Sequence, residues 1–309
     1  VYYKEKSGVP YKKTKTGLKI EIGYWIKTEP KSWVIIKLID GSKFTLSENT
    51  ELEISEYMID KNNKDGVFYD TQGKLRATVV KLTGQTTNFR IKTPTAVAGI
   101  KGTEFIMLSK GPANVFFGNE DTAYISGYDT AQKTLMPDTM VQNTRGLTPT
   151  DPVKVEPGTL LEEAKTGLSV LTGTMPPKEW EISGALPHII ARWNINYGHY
   201  LTDAGRYEEA LYIFQIALDL SNNPEIRADA RLERGAVFSR FLRNSESALS
   251  EYLLILEEYP EIPQAETALY LTGMTLYELS FKKQAKERLL QYKNRYPQGR
   301  YITNVETLL

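Results

Sequence analysis

Residues 193–217 read WNINYGHYLTDAGRYEEALYIFQIA. Apolar side chains recur three and four apart on both sides of Gly205, which predicts two amphipathic helices joined by a tight turn. The pattern repeats: Gly198, Gly235 and Gly273 stand 37 and 38 residues apart, and Ala210, Ala248 and Ala285 stand 38 and 37 apart. Pro224, Pro260 and Pro297 follow the successive pairs. A glycine in the first helix and an alanine 12 or 13 positions later let two antiparallel helices approach closely, with larger neighbours filling the seam. Trp193, Tyr197 and Phe214 are such neighbours in the first unit, Phe238 and Tyr252 in the second, and Tyr277, Phe281 and Leu289 in the third. One hairpin cannot bury both faces, so stability comes from stacking on the next. Ile302 to Leu309 reads as a capping helix or the start of another unit.

Before residue 188 the periodicity changes. Short runs rich in β-branched and aromatic residues, such as Trp33 to Ile39, Lys43 to Leu46 and Asn88 to Ile91, are separated by Asp40-Gly41, Asp65-Gly66 and Gln72-Gly73. Strands at spacings near ten residues predict an all-β domain, with no helix-length segment to carry parallel crossovers. The predicted fold class is therefore α+β and multidomain, with an all-β domain over 1–145, a proline-rich connector over 146–188 and a helical solenoid over 189–309. The connector holds six prolines, Pro149, Pro152, Pro157, Pro176, Pro177 and Pro187, around one short helical candidate, Leu160 to Lys165. Leu168, Val170, Leu171 and Trp180 are too apolar for a free linker and predict docking on both domains.

Composition narrows the chemistry. The 309 residues are 41% hydrophobic and 25% charged, an ordinary folded balance. Lysine plus arginine and aspartate plus glutamate number 38 each, so no general electrostatic drive toward nucleic acid exists and no nucleic-acid partner is expected. The absence of cysteine removes disulfides, thiolate nucleophiles and cysteine zinc sites, and fits an oxidising compartment. His188 and His199 are the only histidines, too few for most histidine catalysis or metal binding. No cofactor, metal or catalytic residue is expected, and the chain reads as non-enzymatic. No stretch reaches the roughly 18 to 20 apolar residues needed to cross a bilayer, and the first residues lack an apolar signal core. A signal, lipid anchor or membrane span ahead of Val1 stays open.

Trp193-x-x-x-Tyr197-Gly198 with Gly205-Arg206-Tyr207-Glu208-Glu209-Ala210-Leu211 and Phe214-x-x-Ala217 resembles the tetratricopeptide repeat over residues 188 to 297. The period exceeds the family's usual length, and Arg243-Asn244-Ser245-Glu246 replaces the expected Gly-x-Tyr-x-Glu turn. The endings Glu257-Glu258-Tyr259-Pro260 and Asn294-Arg295-Tyr296-Pro297 resemble the long-repeat variety common in bacterial envelope proteins. The resemblance implies a groove lined by the first helices that takes a peptide or partner helix. Its candidate lining is Arg192, Asn194, Asn196 and Tyr200 with Arg231, Arg234 and Arg240, some of which core packing would claim.

In the all-β part, residues 93 to 105 read Thr-Pro-Thr-Ala-Val-Ala-Gly-Ile-Lys-Gly-Thr-Glu-Phe. Pro94 stiffens the run, and Gly99 and Gly102 allow close backbone approach or a positive φ. Thr93, Pro94, Gly99, Gly102 and Thr103 match the signature of the FecR domain, with Lys101 where arginine is more usual. Together with Ile22 to Thr28, Val34 to Leu38 and Leu46 to Leu52, the resemblance covers roughly residues 8 to 145. It implies a bacterial periplasmic or envelope location. FecR itself is an inner-membrane regulator with a cytoplasmic anti-sigma helix and one span, neither of which this sequence contains.

Charge supplies the remaining candidates. From Glu246 to Glu278 lie seven acids and no base, and from Lys282 to Arg300 lie seven bases against Glu287. Glu251, Glu257 and Glu258 facing Lys282, Lys283 and Lys286 predict layers that attract within one molecule, between copies, or toward a charged partner. Residues 1–19 carry six lysines against Glu5, a candidate contact for an anionic membrane or glycan, or simply a basic terminus. His199 and Asp203, four apart, read as a surface pair, and His188 beside Pro187 as a residue at a helix start. The expected function is a protein-binding or scaffold protein of the cell envelope, its repeats holding a partner and its β domain anchoring or orienting the assembly. The alternatives are a FecR-type signal-transducing regulator and a structural subunit of a large periplasmic machine.

Overall fold

The computed structural model describes residues 1–81, 84 and 86–309. Contacts divide the chain into two compact units, Val1–Ile189 and Ile190–Leu309.

The first unit opens with β1 (Tyr2–Lys4), β2 (Lys12–Lys13) and β3 (Trp25–Lys27), then the hairpin of β4 (Val34–Lys37) and β5 (Lys43–Leu46). β6 (Glu51–Ile59) leads into β7 (Asn63–Thr78), followed by β8 (Thr86–Lys92), β9 (Val97–Ile100), β10 (Glu104–Lys110) and β11 (Ala113–Glu120). β12 (Ala123–Ser126), β13 (Lys133–Leu135), β14 (Thr139–Thr144) and β15 (Val153–Lys154) complete the strands. One sheet runs β2-β1-β3-β6-β7-β8-β9-β12-β13 and the other β4-β5-β7-β10-β11-β14-β15, so β7 is shared.

The switch between sheets falls at one residue. Gln72 pairs with Glu51 of β6, whereas Gly73 pairs with Ser109 of β10. Gly73 has φ +128°, and a Cβ there would lie 2.3 Å from the Thr50 hydroxyl oxygen, so the bend requires glycine. This bend also produces an arrangement that strand spacing alone did not predict. β7 and β8 pair in parallel, Asn63 opposite Thr86 through Tyr69 opposite Lys92, with only seven residues of chain between the two strands. The bent strand brings its own end back to its beginning, where buried Lys64 Nζ donates to the Val80 carbonyl (2.7 Å) and pairs with buried Asp40. A short connection then suffices. Between the sheets, the rings of Phe44, Phe68 and Phe89 pack in sequence, tilted and edge-on, with centroids 4.3 and 5.5 Å apart, all fully buried.

The connector residues largely belong to this unit. The predicted short helix is the 12-residue α1 (Leu160–Leu171), capped by Thr159, whose side chain accepts from the Glu162 amide. Arg76 of β7 donates to the Thr172 and Ser169 carbonyls at 2.9 Å each, and Lys165 donates to the Gly118 carbonyl at 3.0 Å. α2 (Glu181–Asp203) starts ahead of the predicted boundary and contains Pro187, so His188 is a helix-interior residue. Proline reads in sequence as punctuation, yet fully buried Leu186 beside Gly167 of α1 holds the early turns in place.

In the second unit, α2 is followed by α3 (Tyr207–Leu220), α4 (Pro224–Arg240), α5 (Ser245–Glu258), α6 (Gln264–Glu278), α7 (Lys282–Arg295) and α8 (Ile302–Leu308). The repeated glycines do what their spacing predicts. A Cβ at Gly198, Gly235 or Gly273 would come within 2.5, 2.3 and 2.7 Å of Phe214, Tyr252 and Leu289 on the following helix. Each hairpin turn carries one residue with positive φ: Gly205 (+76°), Arg243 (+52°) and Ser280 (+66°). The departure from the repeat consensus at Arg243 is thus a change of residue and not of backbone. Tyr277 and Phe281, expected in the seam, are half exposed; Phe281 caps α7, the place held by Arg206 and Asn244 in the earlier hairpins.

Candidate protein-interaction surface

The arginines of α4 divide into two groups. Arg231 Nη1 and Nη2 sit 3.1 Å from Glu251 and Glu258, and Arg234 Nε sits 2.7 Å from Glu251. Arg234 also donates to the Leu211 carbonyl at 3.1 Å. Arg231 and Glu251 are buried and Arg234 half-buried, so these three residues tie α4 to its neighbours, and Arg231 is among the groove candidates that packing claims. Asn194 is fully buried as well, taken by the interior of the first hairpin. A charged group withdrawn from water needs a partner, and the acids of α5 supply it. Glu251 is accordingly no free interaction face.

Arg192, Asn196, Tyr200 and Arg240 fall elsewhere. Arg192 Nη1 lies 2.5 Å from Asp229 of α4, whose other oxygen accepts from Gln264 Nε2 of α6 at 2.8 Å. These contacts form a polar row across three successive first helices. His199 Nδ1 lies 3.2 Å from Glu233 of α4, closer than the 4.0 Å to Asp203 that its own helix offers. Beside them Trp193, Tyr197 and Tyr200 stack along α2, with centroids 4.8 and 6.1 Å apart. Tyr200 is 63% exposed, and Asn196 and Arg240 are exposed. Asp229, Glu233 and Gln264 were absent from the candidates. Their signal was the repeat itself, because each bond joins residues 34 to 37 apart.

The opposite-charge layers are mostly consumed internally. Glu258 and Glu251 serve α4, Glu266 accepts from the Tyr292 hydroxyl (2.6 Å) and the Arg300 amide (2.6 Å), and Glu261 pairs with Arg295 at 3.0 Å. Burial and the Glu266 bond push the Tyr292 hydroxyl up to about 12. Lys282, Lys283 and Lys286 stay exposed with no carboxylate within 4 Å among the described residues, and Glu257 is exposed on α5. At the N-terminus Lys4 pairs with Glu51 and lies over the Tyr11 and Trp25 rings, and Lys12 pairs with Glu5.

The Thr93–Thr103 run is a structural turn. The Thr93 hydroxyl accepts from the amides of Thr95 (3.2 Å) and Ala96 (2.9 Å), with Pro94 between them. Thr103 donates its hydroxyl to the Glu120 carbonyl and accepts the Val79 amide at 3.0 Å. Gly102 has φ +102° and a Cβ there would strike Lys81, whereas Gly99 has an ordinary φ and room for a Cβ, so it is not required by the turn. Lys101 Nζ rests 5.3 Å from the Tyr124 ring.

The family model described as FecR protein matches residues 25–118, which contain this turn and the strands around it. Residues 25–118 are a FecR domain. No curated protein matches the chain. Among solved structures, two of a candidate anti-sigma factor from Parabacteroides distasonis ATCC 8503 align with 13% and 12% identity and a TM-score of 0.35. Each alignment covers 42% of this chain and 59% of that one. The C-terminal TPR-containing domain of a candidate FK506-binding protein from Plasmodium falciparum aligns with 17% identity, a TM-score of 0.34, and coverage of 42% and 91%. Among the described residues no group of three or more His, Asp or Glu could hold a metal ion, and no helix is long and apolar enough to cross a membrane.

Proposed function

We propose that this chain is a non-catalytic protein of the bacterial cell envelope whose TPR-like hairpins hold a protein partner, while the FecR domain orients or anchors the assembly. The observation that carries the reading is the aromatic stack Trp193, Tyr197 and Tyr200, whose exposed last ring follows His199, itself held to Glu233 of α4. Aromatic side chains next to satisfied polar groups are what binding hot spots are made of. The FecR match favours a second reading, a signal-transducing regulator, in which the same partner contact reports across the envelope. A photo-reactive residue placed at Tyr200 or Asn196 in the native cell tests the assignment, with Glu225 on α4 as comparison. One adduct from the first two sites and none from Glu225 is the expected result; the same adducts from all three sites contradict it.

A further inference from the structure

We propose that the free edge of β4 accepts an added strand from an acidic, extended peptide segment of a partner protein. Among the described residues β4 pairs with β5 alone, antiparallel, so its other side offers backbone amides and carbonyls to a new strand. Alongside it runs a groove of about 680 Å³, walled by residues 33–37 on one side and 14–20 on the other. Ile26 and Ile36, both 4% exposed, reach its floor, and Ile20 and Trp33 line its sides. A second cavity of about 450 Å³ shares Ile20 and Lys37 and continues to Ile39, which is 88% exposed. The four residues of β4, 34 to 37, would seat about four residues of extended chain, or about 13 Å. Beyond β7, this side carries β6, β3, β1 and β2 in one sheet but only β5 and β4 in the other.

Charge selects the occupant. Lys37 of β4 lies directly opposite Lys43 of β5, both exposed, and neither has a carboxylate within 4 Å among the described residues. Like charges facing across a strand pair are destabilising, and an anion brought to the edge beside them relieves the repulsion. Lys15 adds a third ammonium from the facing wall. An edge carrying lysine repels neutral aggregation-prone strands and repels a second copy of itself, because two such edges would set lysine against lysine. A strand alternating apolar and acidic residues fits both surfaces at once: apolar side chains enter toward Ile26 and Ile36, and carboxylates meet Lys37 and Lys43. This is strand addition, with backbone bonds giving affinity and alternate side chains giving selectivity.

The test uses the full chain and a blocked seven-residue peptide alternating valine and glutamate. Hydrogen exchange should slow at residues 34–37 on its addition, and affinity should fall at least tenfold in the double variant Lys37→Glu with Lys43→Glu. A peptide with lysine in place of glutamate, and one N-methylated at alternate amides, should both fail to bind. Absence of binding, equal binding of the lysine peptide, or protection away from β4 overturns the proposal. Protection of 34–37 that grows with protein concentration and no peptide assigns the edge to a second copy and also overturns it.

Discussion

Asp70 on β7 is fully buried, and among the described residues neither carboxylate oxygen has a hydrogen-bond partner, since the Ser109 hydroxyl donates to Asn114 Oδ1 at 3.0 Å. Burial pushes its carboxyl up to about 7, and the charge of Glu51 adds to the rise. A raised carboxyl means the folded state holds a proton that the unfolded chain has already released above pH ~4. Stability from this group is therefore greatest below pH ~4, declines as pH rises toward 7, and stays low above it. Asp70→Asn should raise stability at pH 8 by up to ~4 kcal/mol, seen as a higher melting temperature, and leave it nearly unchanged at pH 4. A variant equally stabilised at both pH values would refute the assignment. Glu251 shows the opposite economy, a buried acid between two arginines. Glu251→Ala should cost about 3 to 5 kcal/mol in chemical denaturation, whereas exposed Lys286→Ala should stay within about 0.5 kcal/mol.

At the scale of the element, the hairpins rest on helix glycines and left-handed turns. Gly235→Ala places a methyl 2.3 Å from the Tyr252 ring, which is 1% exposed and has nowhere to move. The gain in helix propensity, about 1 kcal/mol, is outweighed, and a net loss of about 2 kcal/mol is expected in thermal unfolding. Arg243→Gly and Ser280→Gly relieve positive φ at exposed turn residues and should each add about 1 kcal/mol. This half of the fold was legible because Gly198, Gly235 and Gly273 mark the tightest approaches of each pair, and backbone proximity leaves a direct trace in residue size. The parallel pairing of β7 with β8 was not legible. It depends on a single bend at Gly73, and a glycine beside Gln72 looks the same in sequence whether it closes a hairpin or redirects a strand between sheets. The arginines of α4 misled for a related reason: a charge looks exposed in a sequence until its partner, Glu251 at 20 residues' distance, is placed beside it.

For the whole molecule, exact charge balance conceals an uneven distribution. The acids of α5 and α6 are largely spent on internal contacts, so the surface of α7 keeps Lys282, Lys283 and Lys286. If the proposed partner also reaches this face, acidic groups on it would meet these lysines, and that contribution to binding should weaken as ionic strength rises through the physiological range. The stacking of Tyr200 on Tyr197 was legible because aromatic residues at the spacing of one helical turn meet on one face. The central claim is that the first-helix face of the hairpins, and not the FecR domain alone, holds the partner. The most direct measurement is the affinity of the crosslinked partner for the intact chain and for its Tyr200→Ala variant, titrated under identical salt. A loss of tenfold or more, with circular dichroism unchanged, is predicted; equal affinity for the two proteins would contradict it.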